Sequence, residues 1–322
     1  MLKPLLNKRC YFFVLMVFIF HAQTKAQLTY NELAVQYDSP WTYKKLQLIP
    51  IRFKAKGGDT GHANNKMFDG NLISFGDALR QHKITIKEVT SGGADVSMLM
   101  VRNRSKDNVM LMSGEMVQGG KQDRAFGKTT IIAAGKNKNY VPVFCVEKGR
   151  WDDKAKAFRH GGTADAKVRK QIDISQRQSK IWKQIDTALA EKNKKNLTSA
   201  YLKSFEDINP EDSSYLRYFI NRMKNSDSAY AGFIAVTGNR IINTEIFAGT
   251  DLCLTAYIEN IKSYVRSLTS QDGVPNKTHD AIKAFTDKFL PDKTIQKKYL
   301  STNGRMYYDN GNVIHLVAYD NN

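Results

Sequence analysis

Cysteine, histidine and proline are scarce in these 322 residues, and acidic residues are outnumbered by basic ones. Cys10, Cys145 and Cys253 are the only cysteines, too few and too scattered for a disulfide scaffold or a four-cysteine zinc site. None of the six histidines falls in a His-Glu-x-x-His pattern, so a helical zinc-protease motif is excluded and the sequence points to no metal and no cofactor. There are only seven prolines and no Pro/Gly-rich stretch that reads as a linker, so one integrated domain over residues 27–322 is expected. No internal repeat or low-complexity tract is present. Beyond Ala26 no apolar run approaches the roughly 20 residues that a bilayer-spanning helix needs. With 42% apolar and 25% charged residues, the chain is not disordered as a whole.

Met1 to Ala26 has the layout of a secretory signal peptide. Lys3, Lys8 and Arg9 form a basic start, Tyr11 to Phe20 is a short apolar run, and Thr24-Lys25-Ala26 offers a cut before Gln27. An uncleaved anchor is the competing reading. Cys10 precedes the apolar run, which argues against a lipoprotein. Export to the periplasm or the extracellular space is therefore expected, with no membrane span after cleavage. The full chain carries +18, and loss of Lys3, Lys8, Arg9 and Lys25 leaves 18 − 4 = +14. That excess favours anionic partners. The basic residues from Lys154 to Lys195 are mostly lysines without aromatic interleaving, so they read as a solvated face and nucleic acid is not expected.

Strand patterns come first and helical ones later, which predicts an α+β fold with an antiparallel β unit from Leu46 to Val146. Leu46 to Phe53 alternates, with Pro50 pushing it toward an edge. Phe75 to Gln81 is a short helix. Ala164 to Asn193 reads as a long amphipathic helix with Ile181, Trp182 and Ile185 on one stripe. Asp212 to Met223, Leu252 to Leu268 and Ala281 to Leu290 also have helical spacing. Gly and Asn in Thr237 to Arg240 and in Asp309 to Asn312 mark two hairpin turns.

Two segments depart from this pattern. Ser113 to Arg124 sets three glycines among acidic, amide and basic groups, which lets a backbone approach a ligand or simply form a turn or bulge. It lacks the Gly-Lys-Ser/Thr ending of a phosphate loop. In Val141 to Trp151, Cys145 and Glu147 alternate onto one strand face. Cys145 is open to three readings: a buried free thiol, a disulfide partner of Cys253, or a nucleophile. Glu147 and Arg150 form either an acid/base pair with an anion clamp or a buried ion pair. His160 falls in a flexible loop as a possible acid or base, and His315 reads as a satisfied core histidine.

Val109 to Arg124 (VMLMSGEMVQGGKQDR) and Val141 to Trp151 (VPVFCVEKGRW), with Gly232 to Gly249 and Asn312 to Leu316, resemble the family named for association with ADP-ribosylglycohydrolase and rhodanese-phosphatase proteins. The resemblance runs over residues 46–319. Glu115, Gly120, Gln122, Arg124, Cys145, Glu147, Gly149, Arg150 and Trp151 match its pattern, while Glu245 stands where the acid is often Asp. The resemblance carries no settled reaction and implies a setting near nucleotide-derivative metabolism. The expectation is an exported protein that binds or hydrolyses a phosphorylated or ribosyl ligand. Glu115 and Glu147 are its candidate catalytic residues, and Gly120, Gln122, Arg124, Arg150 and Trp151 its ligand-binding residues. The alternative is a non-catalytic envelope-associated module that binds through its basic surface.

Overall fold

The computed structural model describes residues 28–55, 65–68, 70–89, 95–151, 156–205, 210–226 and 229–321. The expected leader lies outside the described residues. In chain order the elements begin with β1 (Leu33–Val35), β2 (Trp41–Tyr43), β3 (Leu46–Phe53), β4 (Leu72–Ser74), α1 (Phe75–Arg80), β5 (Ile84–Val89) and β6 (Asp95–Asn103). They continue with β7 (Asn108–Leu111), β8 (Glu115–Gly120), β9 (Arg124–Phe126), β10 (Thr130–Ile132), β11 (Asn139–Cys145) and β12 (Lys156–Thr163). A helical stretch follows: α2 (Ala166–Lys170), a π-helical turn (Gln171–Ser175), α3 (Gln178–Glu191) and α4 (Pro210–Lys224). The chain ends with β13 (Tyr230–Thr237), β14 (Arg240–Phe247), α5 (Thr250–Arg266), α6 (His279–Thr286), α7 (Lys293–Asn303), β15 (Gly304–Asp309) and β16 (Asn312–Ala318).

This is an α+β fold, as the pattern of strands and helices predicts. A seven-stranded sheet runs β1-β3-β13-β14-β16-β15, with β2 also on β3. A six-stranded sheet runs β12-β8-β9-β11-β6-β5, and a small third sheet runs β10-β7-β4. All pairings are antiparallel except β4 with β7. In β8 the alternation of the strand divides two cores: Val117 joins Phe75, Phe126 and Val143, while Met116 joins Ala125, Ile181 and Tyr201. The third and largest core lies around the seven-stranded sheet and includes Leu252, Ala256 and Tyr264 of α5. Helix α5 touches β13 and β14 on one side and β12, β4 and β7 on the other, so it links the two halves.

Both hairpin turns form where Gly and Asn place them, at Gly238-Asn239 and Asn310-Gly311. Four expectations are corrected. First, β3 is not part of the first-half unit and not an edge: it pairs with β13, between that strand and the short β1 and β2. Pro50 is tolerated because its carbonyl, which points to the same side as its missing N–H, meets Gln36 in the gap between β1 and β2. Second, the long helix is broken. The π-helical turn ends at Gln176, whose φ of 50° is left-handed, and α3 starts afresh. Third, Ser113 to Arg124 does not interrupt the sheet but forms the β8–β9 hairpin. Fourth, His160 lies on β12, opposite Val117 of β8, because the glycines after it are absorbed by a bulge in the strand.

Candidate functional site

The first polar cluster is built where β8 starts. Gly114 turns the chain with φ of +80°, and a Cβ there would meet the Arg169 side chain at 2.6 Å. Glu115 follows, fully buried, with its Oε2 accepting a hydrogen bond from the Met112 N–H at 2.8 Å. Its cross-strand partner is Thr163 at the end of β12. Thr163 donates its hydroxyl to Oε2 of Glu259, 2.9 Å away on α5. The docking of α5 is secured one turn on, where the Ser263 hydroxyl bonds the Ala164 carbonyl at 2.6 Å and the Ser267 hydroxyl accepts from the Ala166 N–H at 2.8 Å. His160 completes the group. Its Nε2 lies 3.5 Å from Glu115 Oε1 and 4.0 Å from Glu259 Oε2. The ring packs against Phe75 and lies over Gly76, where a Cβ would come within 3.0 Å of it.

Glu115 Oε1 and His160 Nε2 are both buried and neither makes a hydrogen bond. The two carboxyls are driven apart. Burial pushes Glu115 up, only partly offset by His160 and the Met112 N–H. Burial acts the same way on Glu259, but Lys262, whose ammonium lies 2.6 Å away, outweighs it together with His160 and Thr163, so Glu259 falls below the usual carboxylate range. One buried carboxyl thus tends to keep its proton while the other stays ionised, as in acid/base sites. The His160 side chain, 11% exposed, connects the cluster to solvent.

Glu147 does not join Glu115. It faces the opposite end of β8, and four residues of extended strand alone span about 13 Å. Glu147 Oε2 accepts from Arg150 Nε at 2.6 Å and Oε1 from the Thr198 hydroxyl at 2.9 Å. The other Arg150 nitrogens bond the carbonyls of Gly120 and Gly119 at 3.0 and 3.4 Å and Asp123 Oδ1 at 2.8 Å. Arg150 thereby locks the β8–β9 turn. Burial, with the charge of Glu147, pushes the Asp123 carboxyl up against the pull of Gly119 and Arg150. These groups border a cleft of about 420 Å³ that also takes in Gln118, Lys156, Arg159 and Lys203. It lies on the other face of β12, since Arg159 and His160 alternate.

The remaining expected ligand residues are dispersed. Gly120, at φ of +55°, is hemmed in by Phe158 and Glu88. Gln122 accepts a hydrogen bond from Arg124 Nη1 at 3.0 Å. Arg124 is completely buried, with Nε and Nη2 unpartnered. Trp151 is 46% exposed at the surface, under the ammonium of Lys121. Cys145 and Cys253 are buried and unbridged, which rules out a disulfide between them. Burial pushes the Cys145 thiol up, despite Arg124, which disfavours the thiolate a nucleophile needs.

A second buried network was not legible in the sequence. Glu245 pairs with Arg169 at 2.8 Å, accepts from Asn243 at 2.7 Å and bonds His315 Nε2, while His315 Nδ1 bonds the Thr129 hydroxyl at 2.9 Å. Asp173, set by the π-helical turn, accepts hydroxyls from Ser113, Tyr307 and Tyr319. Thr129, His315 and Glu245 repeat the order of a nucleophilic triad, but all three are buried and substrate does not reach them. His315 is the satisfied core histidine that its strand position predicts.

Sequence reasoning missed Glu259 and Lys262. A signal was available: Glu259 sits in register with Leu252 and Ala256, on the apolar stripe of α5, where an unpaired acid is costly. Searches of the curated proteins and of the solved structures return no match. Among the described residues no helix is long and apolar enough to cross a membrane. The family model of the ARG and Rhodanese-Phosphatase-superfamily-associated Protein domain matches residues 34–318, nearly the whole chain, and the chain belongs to that family.

Proposed function

We propose that the chain hydrolyses an anionic ligand carrying a phosphoryl or ribosyl group, with Glu115, His160 and Glu259 as its acid–base centre. The observation that carries this is the pair of buried, unpartnered atoms, Glu115 Oε1 and His160 Nε2, facing each other across 3.5 Å. Leaving buried polar atoms unpaired costs roughly 1–3 kcal/mol each, and this acidic and basic pair stands beside a ring at the edge of solvent, where a ligand or a proton transfer can use it. In this reading protonated Glu115 is the general acid, His160 passes a proton to or from solvent, and ionised Glu259 holds the imidazole. Lys262 and the net positive charge of the chain favour an anionic ligand. The family's printed association with phosphatase-superfamily proteins fits that ligand class.

The test is thermal unfolding with and without ADP-ribose, NAD and nucleotides, followed by product analysis. A ligand at one hundred times its dissociation constant adds about 2.7 kcal/mol, a rise of several degrees in Tm. Turnover that falls about 10²–10⁴-fold in Glu115→Gln supports the centre. No shift and no product with any of these ligands overturns the reading. The cleft beside Arg150 favours a second reading, a module that binds anions without chemistry through Lys156 and Arg159. Binding abolished by Arg159→Glu but kept in Glu115→Gln selects it.

A further inference from the structure

One oxygen of Glu115, one ring nitrogen of His160 and one oxygen of Glu259 all lie within 4.8 Å of one another. The two distances to His160 Nε2 are 3.5 and 4.0 Å. Donor atoms around a tetrahedral zinc ion, with bonds of about 2.0–2.1 Å, stand about 3.4 Å apart. The cluster is thus a cation's donor shell held somewhat open, by about 0.1 and 0.6 Å at the two separations from His160 and by at most about 1.4 Å between the carboxylates. Its chemistry agrees: an imidazole with two carboxylates suits a divalent first-row ion, whose two positive charges balance the two carboxylates.

We propose that Glu115 Oε1, His160 Nε2 and Glu259 Oε2 bind a divalent cation of the zinc class, with a further coordination position left for water or ligand. Two independent features point to it. Glu115 Oε1 is buried without a hydrogen bond, although a buried carboxylate requires a positive partner to ionise. Both carboxylates are already held from outside the cluster, as the outer partners of metal ligands hold them. The Met112 N–H holds Glu115 Oε2, Lys262 holds Glu259 Oε1, and the Thr163 hydroxyl steadies Glu259 Oε2 while leaving that oxygen a second lone pair. For His160 the requirement is the tautomer with its proton on Nδ1. The inference rests on the reading of these residues as the reactive centre and changes their roles in it: with the ion bound, Glu115 is an ionised ligand in place of a general acid, and His160 Nε2 holds the ion in place of a proton. A cation there polarises a ligand oxygen or makes bound water more acidic. The ligands come from β8, β12 and α5, which explains why no spacing motif announces them.

The experiment uses the full chain, freed of metal by a chelator. Zn²⁺ is titrated against a chromophoric competitor, and Co²⁺ is followed by its visible absorption. Expected are a single ion per folded chain and the intense bands of a low-coordinate Co²⁺ site. Loss of an outer partner alone weakens metal binding about 10–100-fold, so Thr163→Val falls in that range while His160→Ala and Glu259→Gln lose at least about 100-fold. Circular dichroism establishes that each variant is folded, and the wild-type Co²⁺ spectrum decides the question if one is not. The proposal is overturned if the wild-type chain takes up no stoichiometric Zn²⁺, Co²⁺ or Mn²⁺, or if His160→Ala and Glu259→Gln bind as tightly as wild type. A chain that binds zinc but leaves ADP-ribose and nucleotides intact keeps the metal site and sinks the hydrolase reading. Turnover undiminished in excess chelator, by a chain that binds no metal, does the reverse.

Discussion

Two Glu–His clusters among the described residues differ in what the carboxylates touch. Around His315, both Glu245 oxygens are engaged by Arg169, Asn243 and the imidazole, and Asp173 next to them takes three hydroxyls. Around His160, Glu115 keeps one oxygen without a partner, and the imidazole is at the edge of solvent. Arginine is the decisive difference. Arg169 neutralises Glu245 in the interior, and burial alone would raise that carboxyl, yet Arg169 and His315 bring it below its ordinary range. Glu115 has no guanidinium opposite it and stays raised. Identical residue types therefore give a structural joint in one place and the proposed reactive centre in the other, according to whether the negative charge is answered within the protein.

Mutations sharpen that contrast. Removing Arg169 by Arg169→Ala leaves Glu245 buried and uncompensated, and a loss of about 3–5 kcal/mol in urea unfolding is expected. Arg150→Ala, which frees Asp123, Glu147 and the turn carbonyls in a half-buried setting, is expected to lose about 1–3 kcal/mol while leaving turnover close to wild type. Glu115→Gln should behave oppositely: turnover collapses and stability at neutral pH rises slightly. The sign follows from the shifts. A raised carboxyl stabilises the fold fully below its unfolded value of about 4.3, and that contribution is lost as pH rises through the folded value. Glutamine removes this penalty. Glu259, which is lowered, contributes above its unfolded value and loses the contribution as pH falls through its folded one, so Glu259→Gln is destabilising near neutrality. Unfolding curves for both variants from acid to neutral pH would falsify the comparison if the two moved in the same direction. The smallest effect is expected from Cys145→Ser, with unchanged turnover, because burial disfavours its thiolate.

What could be read in the sequence was local. Gly238-Asn239 and Asn310-Gly311 determine their hairpins through turn geometry that depends on neighbouring residues alone. The strand leading to Cys145 is legible for the same reason, but β11 ends there and Glu147 only bridges Ala200 beyond it. The placing of β3 against β13, and of β12 against β8, depends on partners far along the chain, and no local pattern distinguishes one open strand edge from another. Glu115 stood out because glycines surround it. His160 reads as a possible acid or base in a loop, because the two glycines after it imitate one, whereas they form a bulge in β12. Glu259 is hidden inside a helix whose apolar spacing, through Leu252, Ala256 and Ile261, reads as ordinary core.

The order of the seven-stranded sheet has a consequence for how the chain is made. Its first strands lie at one edge and β15 at the other, with β16, the last strand of the sequence, between β14 and β15. Asp173 likewise waits for Tyr307 and Tyr319, which follow it by 134 and 146 residues. Contacts of such long sequence separation make folding slow and leave incomplete chains with open strand edges. A chain interrupted before β16 therefore carries an open edge on β14, and deletion of β15 and β16 is expected to disable the fold.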